Sequence, residues 1–272
     1  MGLIQHKREA YWFYRFLSLG YDRWVNPLFW TPAMREQALA AVRLDAPGLE
    51  ILDAGAGTGF TTEGIVRHVD PARVTMLDQS PHQLARAQRK PALERCRKLL
   101  GDAEQLPFGD DAFDRYVSAG SIEYWPDPQR GVAEAYRVVK PGGVAVVIGP
   151  VKPANRVLRR LSETWMLFPA EADYRRWFER AGFADVTVRT VAPAWYRGRS
   201  PYAVAVSGTK PAAGPSPAAS AGAPAEDRAR AMSARERLRF AGRFVAGSAA
   251  GAAFVPIGAA LALRQRLAGR RG

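Results

Sequence analysis

The chain has 272 residues, 47% hydrophobic and 24% charged, which is ordinary globular composition and excludes both wholesale disorder and a multi-pass membrane protein. A single cysteine, Cys96, excludes an internal disulfide, and three histidines without ligand spacing argue against a zinc site. The net charge is +13, but +7 of it lies in arginine clusters within residues 225–272, which argues against a nucleic-acid-binding domain face.

Residues 1–45 are predicted to form an aromatic N-terminal helical segment. Nine aromatic residues fall between positions 11 and 30. One interpretation is a helix packed on the core. The other is a lid or an interfacial surface, because tryptophan and tyrosine combine an apolar body with a polar tip. The two interpretations are compatible, and both stay open.

Residues 46–210 alternate short apolar runs with helical stretches, the pattern of a mostly parallel sheet covered by helices. Strands are predicted at 50–54, 73–78, 97–100, 113–119, 144–150, 185–191 and 203–208. The last two are too close in sequence for a long helix between them, so we predict an antiparallel pair that closes the sheet. A helical insertion at 153–182 is expected at the carboxyl edge, where open α/β sheets bind ligands.

The C-terminal part changes composition abruptly. Residues 211–224 contain only proline, alanine, glycine and serine, which predicts a flexible linker. The basic tail 225–272 contains a charge-free stretch at 244–263 that is long enough to cross a bilayer as a helix. We predict a membrane segment there. A buried hairpin is the alternative, because the stretch is rich in alanine and glycine and contains Pro256.

The first predicted strand leads into a glycine-rich turn. Gly55, Gly57 and Gly59 follow Asp53 in a G-x-G-x-G pattern. Glycines let the backbone approach a ligand closely, and the N-terminus of the next helix offers unpaired N–H groups. A dinucleotide-binding G-x-G-x-x-G pattern that starts at Gly55 would need its third glycine at position 60, where this chain has Phe60. The turn therefore indicates a ligand site of another kind.

Acidic residues end the next two predicted strands. Asp78 ends the second strand, where a carboxylate can accept both hydroxyls of a ribose, and Asp102 follows the third, placed to accept from an adenine amino group. A Pro-Gly-Gly turn at 141–143 enters the fifth strand. A glycine loop, two acids and a Pro-Gly-Gly turn in this order resemble the motifs of the class I S-adenosylmethionine-dependent methyltransferases.

That resemblance implies a Rossmann-like α/β fold with a mostly parallel seven-stranded sheet and an antiparallel last strand. It also implies S-adenosyl-L-methionine as the cofactor, and no metal. The cofactor-binding residues that we predict are Asp53, Gly55, Gly57, Gly59, Thr62, Asp78, Gln79, Asp102, Ala103 and Ser118.

Longer stretches carry a closer resemblance. Several stretches are similar to the plastid 2-methyl-6-phytyl-1,4-hydroquinone methyltransferases, and the resemblance extends over essentially the whole chain. They are residues 9–10, 12–18, 78–85, 115–131 (RYVSAGSIEYWPDPQRG), 165–169 and 195–198. The resemblance implies ring methylation of a hydroquinone with a phytyl or solanesyl tail, in tocopherol and plastoquinone synthesis.

The same resemblance implies a location. It predicts the plastid inner envelope membrane, or a prokaryotic cytoplasmic membrane. No Ser-rich, Arg-rich transit segment precedes His6, so we expect a mature fragment or a protein that is not imported. The tail is also richer in alanine than the plant tails.

Candidate catalytic residues follow from the chemistry. A ring carbon is a poor nucleophile unless a hydroxyl ionises, and a phenol with a pKa of ~10 needs a proton acceptor. Glu123, just after the fourth strand, is the first candidate. His82 is the second, with support of the cofactor pocket as its alternative. Tyr124 and Tyr196 are candidates for orienting the ring, with pocket packing as the alternative. Trp12 and Trp165 are the other predicted substrate-site residues.

Other functions stay open at this point. One is C-methylation of ubiquinone or menaquinone precursors, and another is lipid N-methylation. Outside enzymes, the alternative is a membrane-tethered protein that binds S-adenosylmethionine without turnover. The partners expected are a prenylated hydroquinone and a lipid bilayer, and nucleic acid is not among them.

Overall fold

The computed structural model describes residues 30–165, 167–218 and 233–268. The strands are β1 (Ile51–Ala54), β2 (Val74–Asp78), β3 (Arg97–Leu100), β4 (Phe113–Ala119), β5 (Val139–Pro150), β6 (Ala184–Val191) and β7 (Ala203–Thr209). The α-helices are α1 (Pro32–Leu39), α2 (Thr62–Ile65), α3 (Pro81–Ala87), α4 (Pro128–Val138), α5 (Arg156–Trp165), α6 (Glu171–Ala181) and α7 (Ala234–Ala268). Short 3₁₀ helices cover Pro71–Arg73, Pro91–Leu93 and Ile122–Tyr124.

The seven strands form one sheet in the order β3-β2-β1-β4-β5-β7-β6. Neighbouring strands from β3 to β5 are parallel, whereas β7 runs antiparallel to both β5 and β6. The predicted seven-stranded sheet with its antiparallel last strand is therefore confirmed. Ala203 pairs with Pro150, so the connection between β6 and β7 lies at the carboxyl edge of the parallel strands.

Two hydrophobic clusters divide the core between the faces of the sheet. Val144, Val146 and Ile148 belong to one cluster, and Ala145 and Val147 belong to the other. This alternation follows from the two-residue period of a strand buried on both faces. Helix α1 contributes to the first cluster, and α4 and α6 contribute to the second.

Three helices begin with a capping side chain followed by proline. The side chains of Thr31, Ser80 and Asp127 accept a backbone N–H from the first turn of α1, α3 and α4. Proline suits the next position because its missing N–H has no intrahelical partner there. Local sequence thus fixes where these helices start.

Strand β5 begins at Val139 rather than at the predicted residue 144. The Pro-Gly-Gly turn lies within it, and the pairing with β4 shifts register between Phe113 and Arg115. Gly142 has a φ of 76° and donates its N–H to the Lys210 carbonyl at 2.8 Å. The turn therefore lies at the amino edge of the sheet, away from the ligand-binding edge.

The described part of the predicted linker, residues 211–218, lies against the domain. The Ser216 hydroxyl is buried and donates to the Ala181 carbonyl at 2.8 Å. Residues 219–224 lie outside the described residues. The division into N-terminal segment, domain, linker and tail stays a prediction.

The charge-free stretch 244–263 lies within α7, which packs against α5. In the part of the chain that the structure describes, no helix is both long and apolar enough to cross a membrane. This finding does not support the membrane segment predicted at 244–263, which stays a prediction. Alanine and glycine dominate the stretch and Pro256 lies within it, and these residues contribute little to the free energy of insertion.

Only the end of the aromatic N-terminal segment falls within the described residues. Trp30 is half-buried and packs against the first hydrophobic cluster, next to α1. The other eight aromatic residues of the segment, Trp12 among them, lie in residues 1–29, outside the described residues.

Candidate active site

The glycine loop between β1 and α2 has a backbone that only glycine adopts easily. Gly55, Gly57 and Gly59 have φ values of 72°, 55° and 84°, in the left-handed region that penalises a Cβ. The Gly55 and Ala56 N–H groups donate to the Leu77 carbonyl. A Cβ on Gly57 would meet no atom within 4 Å among the described residues. The loop is therefore held open at Gly57, where a ligand can approach the backbone.

Asp53 lies beneath this loop at the end of β1. Its Oδ2 accepts the Thr62 hydroxyl at 2.6 Å, and its Oδ1 has no hydrogen-bond partner among the described residues. Burial raises the pKa of Asp53 to about 7, against the Thr62 hydrogen bond and with a smaller contribution from Asp78. A buried acceptor without a partner is costly, so Oδ1 is suited to a donor group on a bound ligand.

Asp78 connects the ends of β1 and β2. Its Oδ2 accepts the Gly57 N–H and its Oδ1 accepts the Ser80 N–H, both at 2.8 Å. Burial raises the pKa of Asp78 to about 6, while these backbone hydrogen bonds lower it. Each carboxylate oxygen has a second acceptor position. Asp78 can therefore hold the loop and still bind a diol.

A pocket opens between these loops. Its lining residues are Gly55, Leu77, Asp78, Gln79, Gly101, Asp102, Ala103, Ser121, Tyr124 and Trp125. The sequence motifs predict most of the acidic and glycine positions of this lining, but they do not indicate Ser121 or Trp125. Both follow β4, and the Trp125 indole N–H donates to the Ser121 hydroxyl at 3.0 Å. The sequence does not show on which side of the sheet edge an aromatic side chain such as Trp125 lies when it follows a strand.

Replacing Gly55 with alanine is expected to destabilise the protein more than the same change at Gly57. A Cβ on Gly55 would overlap the Ser121 side chain, whereas one on Gly57 meets open space. Gly57→Ala adds only left-handed strain of about 1–2 kcal/mol, and Gly55→Ala adds overpacking of about 1–3 kcal/mol as well. Urea unfolding of both variants measures the difference. Equal losses would contradict the steric account.

A second group of residues lies at the same carboxyl edge, beyond β4 and β5. Glu123 is buried in the 3₁₀ helix that follows β4, and its carbonyl accepts the Leu167 N–H at 3.1 Å. The Tyr174 hydroxyl donates to the Pro150 carbonyl at 2.9 Å. These bonds fasten the insertion that carries α5 and α6 to the strand ends beside the pocket.

The other predicted site residues lie at different places, and not all of them line the pocket. Tyr124 lines the pocket together with Asp78 and Asp102. Tyr196 lies in the β6–β7 connection at the same edge, where its hydroxyl donates to the Ser200 carbonyl at 2.9 Å. Ser118 is buried in β4, below Gly55.

His82 is exposed in the first turn of α3 and is not among the pocket-lining residues. Trp165 ends α5, but its side chain lies outside what the structure describes. The roles assigned to these residues from the sequence stay predictions.

A doubly wound sheet with an antiparallel β7, a glycine loop after β1 and acids after β2 and β3 together define a class I S-adenosylmethionine-dependent methyltransferase. A model of the methyltransferase domain matches residues 52–147. Geranyl diphosphate C-methyltransferase from Streptomyces coelicolor A3(2), solved with S-adenosyl-L-homocysteine, superposes with a TM-score of 0.56 at 17% identity, over 65% of this chain and 77% of that one. At this identity the likeness shows the fold alone.

Two plant proteins are much more similar in sequence. The chloroplastic 2-methyl-6-phytyl-1,4-hydroquinone methyltransferase of Arabidopsis thaliana is 52% identical over 258 residues, which cover 93% of this chain and 75% of the relative. The Spinacia oleracea protein of the same name is 56% identical over 218 residues, covering 79% and 63%. The chain belongs to the 2-methyl-6-phytyl-1,4-hydroquinone methyltransferase family. It is a methyltransferase, and S-adenosyl-L-methionine is its cofactor.

Proposed function

We propose that this enzyme transfers the methyl group of S-adenosylmethionine to a ring carbon of a prenylated hydroquinone, ortho to a hydroxyl. The observation that carries the proposal is the arrangement at the carboxyl edge of the sheet. There a pocket lined by Asp78 and Asp102 lies beside the helical insertion, which is hydrogen-bonded to the ends of β4 and β5. The names of the plant relatives support the acceptor class.

The pocket residues fit the cofactor by their chemistry. Asp78 would accept the ribose hydroxyls, and Asp102 would accept from the adenine amino group. Asp53 offers Oδ1 to the ammonium group of the methionine part, which would supply the partner this buried oxygen lacks among the described residues. Gln79, Ala103 and the glycine loop would form the rest of the cofactor-binding surface. When bound, the cofactor supplies an electrophilic methyl on a sulfonium.

The acceptor side is aromatic. Trp195, Tyr196 and Tyr202 form a cluster of edge-on rings with centroids 5.1 to 6.2 Å apart, in the β6–β7 connection. Such rings can pack against a hydroquinone and exclude water from the reacting atoms. Positioning in an apolar site should provide most of the acceleration, because methyl transfer from a sulfonium disperses positive charge.

The test is incubation with S-adenosylmethionine labelled in the methyl group and a panel of acceptors. The panel holds 2-methyl-6-phytyl-1,4-benzoquinol, its solanesyl analogue, a demethylmenaquinol, a ubiquinone precursor and phosphatidylethanolamine. We expect label in the first two, on a ring carbon located by NMR. Label only in another acceptor would overturn the proposed substrate class, and no label in any would favour a binding protein without turnover.

We also propose that the enzyme works at a lipid surface, in a plastid as its plant relatives are named or at a prokaryotic cytoplasmic membrane. A hydroquinone with a long hydrocarbon tail resides in the bilayer, so its ring must be reached there. Helix α7 exposes Leu238, Val245, Leu263 and Leu267 as well as arginines. Aliphatic and cationic side chains together suit the headgroup boundary.

Vesicle flotation tests this surface contact. With vesicles that contain anionic lipid, we expect the protein to float, and the double variant Leu238→Ser/Val245→Ser to float less. A matched control is Val157→Ser, because Val157 is similarly exposed but lies on α5. Equal flotation of all three proteins would remove α7 from the contact.

A further inference from the structure

Glu123 is a buried acidic residue in the turn that follows β4. It lies in the one-turn 3₁₀ helix after β4, between Ser121 and Tyr124, which both line the pocket. Its carbonyl accepts the Leu167 N–H from the insertion. The turn that carries Glu123 therefore joins the pocket lining to the insertion, although Glu123 itself is not among the pocket-lining residues.

Glu123 is 6% exposed as a residue, and its Oε2 has no hydrogen-bond partner within the described part of the chain. Oε1 lies 3.8 Å from the position that a Cβ would take on Gly120. Besides burial, the Glu123 charge contributes to raising the pKa of the neighbouring Tyr174. The Tyr174 hydroxyl donates to the Pro150 carbonyl and not to Glu123. A buried carboxyl oxygen left without a partner costs stability, which indicates a role on a bound molecule.

We infer that Glu123 is the proton acceptor for the hydroquinone hydroxyl next to the methylated carbon. The inference rests on the proposed function and adds the catalytic group to it. A carboxylate at this place can take the hydroxyl proton as the ring carbon becomes nucleophilic.

The proton and electron balance of the step closes without any further reactant. The O–H proton moves to Oε2 of Glu123, and the electron pair released into the ring forms the new carbon–carbon bond to the methyl as the sulfur–carbon bond breaks. The ring is then a dienone. Glu123 returns its proton to the dienone oxygen while the ring C–H proton leaves to water. One proton is released per turnover.

The electrostatics of the site agree with this role. Burial raises the pKa of Glu123 from 4.5 to about 8, against a hydrogen bond from its own backbone. Burial also raises the pKa of Tyr174, with the Glu123 charge as the next cause. A general base works best when its pKa is near the operating pH. Only the ionised carboxylate accepts a proton, so turnover should rise with pH through about 8.

The decisive variant is Glu123→Gln, which keeps the shape and removes the charge. We expect turnover to fall ~10²-fold or more at neutral pH, with cofactor affinity unchanged in calorimetry. The rise of the wild-type rate around pH 8 should disappear, and part of the rate should return as the pH approaches the phenol pKa of ~10. The matched control is Glu163→Gln, an exposed carboxylate of α5 paired with Lys152, which should keep wild-type turnover.

A stability measurement shows whether the variant is folded and the carboxyl buried. The pKa of Glu123 is raised on folding, so its contribution to stability is full below about pH 4.5 and is lost as the pH rises through about 8. Glu123→Gln removes this loss. Its melting temperature should therefore exceed that of the wild type at about pH 9 and match it at low pH.

The acceptor panel keeps the two proposals separate. Wild-type methylation of a prenylated hydroquinone tests the proposed function. The ratio of wild-type to Glu123→Gln turnover, on whichever phenolic acceptor the wild type methylates, tests Glu123. A folded variant with full turnover at neutral pH, or with the wild-type pH profile, would overturn the assignment. Label transferred only to a non-phenolic acceptor would overturn it as well.

Discussion

Asp78→Ala is expected to weaken binding of S-adenosylmethionine by about 10²- to 10⁴-fold. Two ribose hydroxyls would lose a charged acceptor worth ~1.5–3 kcal/mol per hydrogen bond, and 1.4 kcal/mol is a tenfold change in affinity. Calorimetric titration measures the loss. Affinity should also fall as the pH drops through about 6, because burial raises the pKa of Asp78 to that value and only the ionised form is the strong acceptor.

The Asp78 experiment needs a shape-preserving partner, because Asp78 also accepts the N–H groups of Gly57 and Ser80. Asp78→Asn keeps the volume and one acceptor oxygen, and its circular dichroism reports whether the loop region folds. Glu94→Ala removes an exposed carboxylate away from the pocket and should bind normally. Wild-type affinity for S-adenosylmethionine in both Asp78 variants would contradict the assignment of Asp78 as the acceptor of the ribose hydroxyls.

Asp111→Asn is expected to lower the free energy of unfolding by about 3 kcal/mol. Its Oδ1 lies 2.6 Å from the Nζ of Lys210, which is fully buried, while Asp111 is 30% exposed. Removing one partner of a buried pair costs about 3–5 kcal/mol. The low end applies because the Arg137 carbonyl still accepts from Lys210 at 3.2 Å and the Tyr136 ring lies 4.8 Å away.

Lys210→Met should cost less than Asp111→Asn, because the aspartate left behind can reach water. In the double variant the cost should approach that of Lys210→Met alone, which urea unfolding can measure as a coupling energy. Asp110→Asn is the matched control. Asp110 pairs with Arg137 at 2.9 Å but is half exposed, so its loss should be about 0–1 kcal/mol. Losses of similar size at positions 110 and 111 would contradict the buried-pair account.

Much of the fold followed from local patterns. The strands at 97–100 and 113–119 were predicted to the residue, because apolar runs bounded by turns fix short strands. The antiparallel β6–β7 pair followed from the short sequence between its strands, too short for a crossover helix. The N-terminal extension of β5 did not, because it depends on pairing with β4 around a register shift.

For the site, sequence alone identified the glycine loop and the acids that follow β2 and β3, because strand ends and turn residues place them. Only the tertiary structure decided that Glu123 is buried with an Oε2 that has no partner among the described residues, that Ser121 and Trp125 line the pocket, and that Asp111 pairs with Lys210 ninety-nine residues away. The physical reason is that burial, pKa and ion pairing depend on groups that the fold brings together from distant positions. The membrane span predicted at 244–263 stays a prediction, and no helix among the described residues is both long and apolar enough to support it. A count of uncharged residues fixes a helix's length, whereas its transfer free energy depends on which side chains it carries.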